Sequence, residues 1–214
     1  MKLKVKKILY LGLDPGRYQH AGELVHVPLI EIAAYPFSKR VQETFESLEL
    51  YTHVILTSRI GAELFCNYAI RALQNMRNKT YISVGSATTE LLKQKGIKVD
   101  YTALVQTGEG VIEVLKGLDL QKAHLFFPRS ALARDVIPNY CAKQQIQMTT
   151  LDLYDTQPSD IPLPDLAGFD QIVFTSPSVV HAFFARATKH PERAMCCPIG
   201  PVTADALNRY YSNV

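Results

Sequence analysis

The chain is poor in the residues that catalysis and metal binding most often use. Four cysteines occur, Cys66, Cys141 and the adjacent Cys196 and Cys197, and no two of them make a C-x-x-C pair. The six histidines show no H-E-x-x-H or other ligand spacing, so no metal site is expected and the thiols read as reduced and structural. Neither G-x-G-x-x-G nor G-x-x-x-x-G-K-[ST] is present, and Gly108-x-Gly110 is too slight for a phosphate loop. No nucleophile–base pair, carboxylate dyad or low-complexity segment stands out. Lys2, Lys4, Lys6 and Lys7 precede an apolar run, but residues 8–13 are too short for a signal-peptide core and meet Asp14-Pro15 at once, so they read as a first strand with a basic edge. Charge is sparse too: 23 Lys and Arg against 20 Asp and Glu leave a scattered net charge of +3. That excludes the basic footprint of a nucleic-acid binder and leaves room for an anionic small molecule. A membrane partner is not expected, and the chain reads as cytoplasmic.

What the chain does have is a repeat. His53-Val-Ile-Leu-Thr-Ser-Arg59 returns as Gln171-Ile-Val-Phe-Thr-Ser-Pro177, 118 positions on, and the same offset lays Phe65 on Phe183. Val84-Gly-Ser-Ala-Thr-Thr89 is answered by Ile199-Gly-Pro-Val-Thr-Ala204 at an offset of 115, a loop having lost three residues. In each copy a β-branched or aromatic run enters Thr-Ser and then an apolar-periodic stretch. That pattern reads as a buried parallel strand delivering a helix N-terminus. With 214 residues, 47% of them hydrophobic, the chain has room for two compact domains.

Strands are expected over 7–13, 24–27, 81–84, 97–101, 123–127 and 194–199, besides the two Thr-Ser strands. Helices are expected over 62–73, 86–95 with Gly96 as a left-handed cap, 111–116 and 131–142. Their alternation implies α/β architecture with parallel sheets. Neighbouring segments could pair into two simple domains, or the middle of the chain could form one domain with both ends wrapped into the other. Two long extended segments, 29–35 and 149–155, suit a chain leaving and re-entering one domain side by side, so the wrapped arrangement is preferred. Its boundaries fall at 1–33 with 157–214 for domain 1 and 37–152 for domain 2, with linkers 34–36 and 153–156.

Ligands of open parallel sheets lie beyond the carboxyl ends of the strands, where helix N-termini present unpaired N–H groups. Four such ends carry small hydroxyls: Thr57-Ser58, Ser86 with Thr88, Thr175-Ser176 with Ser178, and Thr203. One Ser or Thr there is ordinarily only an N-cap. Four at equivalent places point to a shared inter-domain cleft suited to carboxylates or phosphates. Arg59, Arg129 and Arg134 follow strand ends and add charge, although arginines are mostly solvated. Tyr154 is a lone polar aromatic at a linker end, expected to be incompletely buried, with packing around a bonded hydroxyl as its ordinary role. No histidine falls beside these motifs in the sequence.

Phe174-Thr-Ser-Pro-Ser178, Ile199-Gly-Pro-Val-Thr-Ala204, Val84-Gly-Ser-Ala-Thr88, Thr107-Gly-Glu-Gly110, Phe127-Pro-Arg129 and Leu153-Tyr-Asp-Thr156 together resemble the uroporphyrinogen-III synthase family over nearly the whole chain. The resemblance implies two flavodoxin-like domains joined by a two-stranded linker, the first discontinuous, with the active cleft between them and no cofactor. It matches Tyr154 to the family's cleft tyrosine, and Thr88, Ser176 and Thr203 to its substrate-facing hydroxyls. The implied substrate is hydroxymethylbilane, a linear tetrapyrrole whose nitrogens can expel its terminal hydroxyl unaided. The enzyme's task is then to orient the ends so that the last ring inverts, with a protonated Tyr154 bonding to the departing hydroxyl. A monomer is expected. Two departures stand out. Asp14-Pro15 replaces the family's Arg-Pro, with only Arg17 near enough to substitute, and the repeat leads one to expect a further strand and helix after Val214. A non-catalytic two-lobed binder of anionic ligands and a sugar-phosphate isomerase are the alternatives. The isomerase should need an in-cleft base.

Overall fold

Parallel strands cannot be joined by tight turns, so each must be followed by a crossover, and most crossovers here are helices begun by a serine, threonine or glycine. The computed structural model describes residues 5–16 and 18–212; Arg17 lies outside the described residues. In chain order these form β1 (Lys7–Tyr10), β2 (Glu23–His26), β3 (Ile30–Ala34), α1 (Lys39–Glu46), β4 (His53–Leu56), α2 (Arg59–Arg71), β5 (Thr80–Ser83), α3 (Ser86–Gln94), β6 (Tyr101–Thr102), α4 (Gly108–Lys116), β7 (His124–Ser130), α5 (Val136–Lys143), β8 (Gln147–Pro158), β9 (Gln171–Phe174), α6 (Pro177–Phe184), β10 (Cys196–Pro198) and α7 (Pro201–Asn208). The architecture is α/β: two flavodoxin-like parallel-sheet domains with a two-stranded connection, the first domain discontinuous.

One unit takes the chain up to Ile32 and from Thr156 onward; the other is Ala33–Asp155. The first holds a four-stranded sheet in the order β10-β9-β1-β2, and the second is built on a six-stranded sheet in the order β3-β8-β7-β4-β5-β6. Within each, the strands adjoining the point where the order reverses are the pair β1–β9 and the pair β7–β4, the switch points at which doubly wound sheets bind ligands. The connecting strands β3 and β8 lie side by side in the sheet. Tyr35 N–H donates to Leu153 and Ser159 N–H to Leu29; one residue number rises as the other falls, which marks antiparallel pairing.

The cores follow from the repeat. Phe65 and Phe183 are both fully buried, each on the helix after its Thr-Ser turn. In the first unit Phe183 meets Phe174 edge-on at 5.2 Å, among Leu9, Leu11, Ile172, Val179 and Leu207. In the second, the Phe126 ring is surrounded by Tyr51, Phe45 and Phe65 at 4.7, 5.7 and 6.2 Å.

Three elements differ from expectation. The strand expected over 97–101 shrinks to β6, because Ile97 N–H bonds to Leu92 and Gly96 N–H to Lys93 with Gly96 at φ +77. This is a Schellman cap, and Ile97 is buried at the end of its helix rather than paired in a sheet. The helix expected over 131–142 begins only at Val136, since β7 runs on through Ser130 and Ala131 N–H donates to Tyr154. The strand expected over 194–199 keeps only β10, behind a single 3-10 turn at Arg193–Met195.

Two outcomes follow. Phe126→Ala is expected to destabilise the second unit by about 3–5 kcal/mol, the usual cost of deleting a buried ring, read from urea unfolding. Burial lowers the pKa of His53 and of His124 below the usual 6.5, with Asp100 partly opposing this at His53. A group whose folded pKa is depressed binds its proton more readily when unfolded. Stability from these two histidines is therefore complete above about pH 6.5 and is lost as pH falls through their folded values. A His53→Gln/His124→Gln variant should show a flatter decline of unfolding midpoint between neutral and mildly acidic pH.

Candidate functional site

The repeated Thr-Ser motif builds the same device twice. Ser58, extended at φ −153 and ψ 154, accepts from Gly61 N–H at 2.9 Å to start α2. Ser176, at φ −160 and ψ 162, accepts from Val179 N–H at 3.3 Å to start α6, with Pro177 as its first helical residue. Each serine satisfies one orphan donor of its helix and leaves the remaining first-turn N–H groups at a strand's carboxyl end. The second motif also recurs in place. Gly85 and Gly200 precede α3 and α7, and Thr88 and Thr203 are each the third residue of their helix.

In the second unit the site residues converge on Tyr154. Its hydroxyl lies 2.9 Å from Ser58 Oγ, and register places Ser130 opposite Tyr154 across an irregularity between Arg129 and Ser130. A Cβ on Gly61 would come within 2.9 Å of Ser58 Oγ and 3.9 Å of the Tyr154 ring, so the first turn of α2 closes directly over the pair. Contrary to the sequence expectation, Tyr154 is buried, with 5% of its surface exposed. It sits inside β8 rather than at a free linker end, because β8 continues through the junction as one strand of twelve residues. Burial pushes the phenol above its ordinary pKa of 10, against the neighbouring Ser58 and Ser130 hydroxyls that pull it down. The group is therefore a proton-bearing hydroxyl at neutral pH.

The remaining candidates divide by exposure. Ser86 and Arg59 are exposed, and Ser58, Ser176 and Ser178 are half-buried. Thr88 and Thr203 each keep only 3% of their surface, which assigns their side chains to packing of the first helical turn. Arg129 is held by Asp152 at 3.0 Å and Asp135 at 2.6 Å, its side chain 14% exposed. Burial works against that guanidinium charge and the two carboxylates outweigh it. Arg134 makes a bidentate pair with Glu109, both contacts at 2.9 Å, and this pairing lowers the Glu109 carboxyl to about 2.

Sequence reasoning missed two features. Ser83, Thr89 and Thr102 bond to one another at 2.6 and 2.8 Å at the ends of β5 and β6; Thr89 closes the Val84 motif and carried that signal. His26 ends β2 with Nε2 2.7 Å from the Gly12 carbonyl, beside the β1–β9 switch point. No periodicity announces it, since only sheet order brings β2 next to β1. Among the described residues no group of three or more His, Cys, Asp or Glu could hold a metal, and no helix is long and apolar enough to cross a membrane.

Comparison with known proteins agrees over most of the chain. Residues 17–214 match the model of the family described as uroporphyrinogen-III synthase HemD. The porphyrin biosynthesis protein HemD of Ruminiclostridium josui is 26% identical over 219 residues. That match takes in 96% of this chain but 41% of the relative, so the chain spans less than half the length of that curated protein. Crystal structures of a mutant uroporphyrinogen III synthase from the extremely thermophilic bacterium Thermus thermophilus and of uroporphyrinogen-III synthetase from Helicobacter pylori superpose with TM-scores of 0.68 and 0.64 at 15% and 16% identity. Each covers 96% of this chain and 89% of the other, and shares its fold. The binding-protein and isomerase alternatives find no support in these relatives.

The Ser58–Tyr154 bond makes a quantitative expectation. Ser58→Ala removes a cap, about 0.5–2 kcal/mol, and strands a buried phenol. Tyr154→Phe removes one hydrogen bond, about 0.5–1.5 kcal/mol. The double variant should be less destabilised than the two singles added together, because both delete the same bond. Urea unfolding of the four proteins measures this, and strict additivity would show that the two hydroxyls do not interact.

Proposed function

Because the chain belongs to the uroporphyrinogen-III synthase family, we propose that it cyclises hydroxymethylbilane with inversion of the last pyrrole ring and loss of water, as a cytoplasmic, monomeric lyase of tetrapyrrole synthesis. The observation that carries this reading is the hydroxyl pair Ser58–Tyr154 at the β4–β7 switch point, repeated in outline by Ser176 at the β1–β9 switch point. The substrate's carboxylates suit helix N-termini, where partial positive charge and unpaired N–H groups favour anions. In this reading Ser58, Ser86, Ser176 and Ser178 add hydroxyl donors, Arg59 adds charge, and Thr88 and Thr203 hold the turns that aim the backbone N–H groups. Arg129, occupied by Asp135 and Asp152, supports the β7 end that carries Ser130.

The chemistry asks little acid–base power of the protein. A pyrrole nitrogen supplies the electron pair that breaks the terminal C–O bond, and the departing oxygen takes up a proton to leave as water. Tyr154, kept protonated by burial, is the hydrogen-bond donor to that oxygen, and Ser58 fixes the direction in which its hydroxyl points. Inversion of the ring is then a matter of holding the chain ends in one geometry, for which orientation alone supplies large factors.

The test is to add the protein to hydroxymethylbilane and resolve type III from type I uroporphyrinogen. Type III product in excess of the spontaneous type I closure is expected; type I alone at the uncatalysed rate would refute the activity. Tyr154→Phe should lower the type III rate by about 10²-fold or less, the low end for a positioned proton donor. Ser86→Ala combined with Ser178→Ala should keep turnover but raise the share of type I, because orientation loosens before bond cleavage does.

A further inference from the structure

Besides His53 and His181, which lie within five residues of the two Thr-Ser turns along the chain, the fold brings in a histidine distant in sequence, His26. β2 pairs with β1 so that His26 lies opposite Tyr10, and its Nε2 lies 2.7 Å from the Gly12 carbonyl. A carbonyl can only accept, so Nε2 carries the hydrogen and, in the neutral ring, Nδ1 presents its lone pair. Among the described residues no hydrogen bond is made to Nδ1, and His26 is exposed. The imidazole meets the Tyr10 ring edge-on at 5.8 Å, and the Tyr10 hydroxyl in turn ties down the Asp14 carbonyl at 2.9 Å. A Cβ on Gly12 would fall 2.5 Å from the Thr175 side chain. Gly12 is thus the close approach that sets His26 one residue away from the Thr175-Ser176 turn. An oriented ring, a fixed tautomer and an open lone pair are what a general base requires, and His26 offers them at the end of β2, the strand flanking β1. The nearby Asp14 carboxylate is engaged in its own turn, accepting from Gly16 N–H at 2.8 Å.

We propose that His26, through Nδ1, is the base that takes the ring proton released when the tetrapyrrole closes, an assignment that rests on the activity proposed above. When a free pyrrole α-carbon forms the closing C–C bond, it still bears its hydrogen and the ring is cationic. Breaking that C–H bond returns its electron pair to the ring and restores aromaticity. The proton passes to Nδ1 and then to solvent. It replaces the proton that the departing oxygen took up, so the net loss is one water, and no oxidant or reductant takes part. As the imidazole gains charge, its Nε2–H bond to Gly12 becomes charge-assisted and strengthens, so the carbonyl stabilises the protonated ring as it forms.

The experiment compares the parent, His26→Gln, His26→Ala and, as control, His20→Gln, whose imidazole stacks on Tyr18. Glutamine can still donate to Gly12 but cannot take a proton at neutral pH. Turnover of hydroxymethylbilane should fall by about 10²-fold in kcat in both His26 variants, with KM little changed and the control at the parent rate. Imidazole added to His26→Ala should restore part of the rate in proportion to its concentration. Parent kcat in His26→Gln, a loss confined to KM, or absence of imidazole rescue would each overturn the assignment. If the parent itself forms no type III product, the activity reading fails and this one with it; if the parent is active and the His26 variants match it, only this one fails.

Discussion

A single serine oxygen sets the geometry on which the rest of the second unit's site depends. Ser58 Oγ accepts from Gly61 N–H and bonds to Tyr154, both at 2.9 Å. The same atom therefore decides where α2 begins and where the Tyr154 phenol ends. A cap of this kind is usually a matter of helix stability. Here it also couples a helix start on one strand to a side chain on β8, so that local backbone chemistry positions a buried hydroxyl.

That coupling explains the spare polar composition. A site assembled from caps, helix N-termini and one phenol needs no ion cluster, and the arginines near it are employed in holding loops: Arg129 with Asp135 and Asp152, Arg134 with Glu109. Two of the thiols are equally withdrawn from chemistry, since burial pushes Cys66 and Cys141 up to about 11, far from the thiolate that reactivity requires. The helices that begin at the strand ends are held in place by Phe65 and Phe183, both fully buried.

The repeat makes the two units alike in their devices and different in their occupants. Both have a Ser-capped helix at the switch point and a threonine buried at the third position of the next helix. The second unit adds Tyr154, through the long strand β8, and the first adds an exposed imidazole, His26, through β2. The duplication supplied a capped strand end in each unit, with Tyr154 near one and His26 near the other.

How much of this could be read from residues alone follows from the range of each interaction. The Thr-Ser strands, the capped helices after them, the Gly96 cap and the repeat were legible, because caps and hydrophobic periodicity are local and act within four or five residues. The α/β class followed from their alternation. Where helix α5 starts was not legible, since a backbone N–H at Ala131 had to choose between a turn and the neighbouring strand, and β8 decided it. The burial of Tyr154 had the same origin: composition marks a tyrosine before an Asp-Thr as a linker residue, and only the continuation of β8 through the junction encloses it. His26 is the clearest case. Its residue type, its strand and its place in the sequence were all visible, but hydrogen bonds across a parallel sheet join segments by strand order, and strand order is a property of the folded chain.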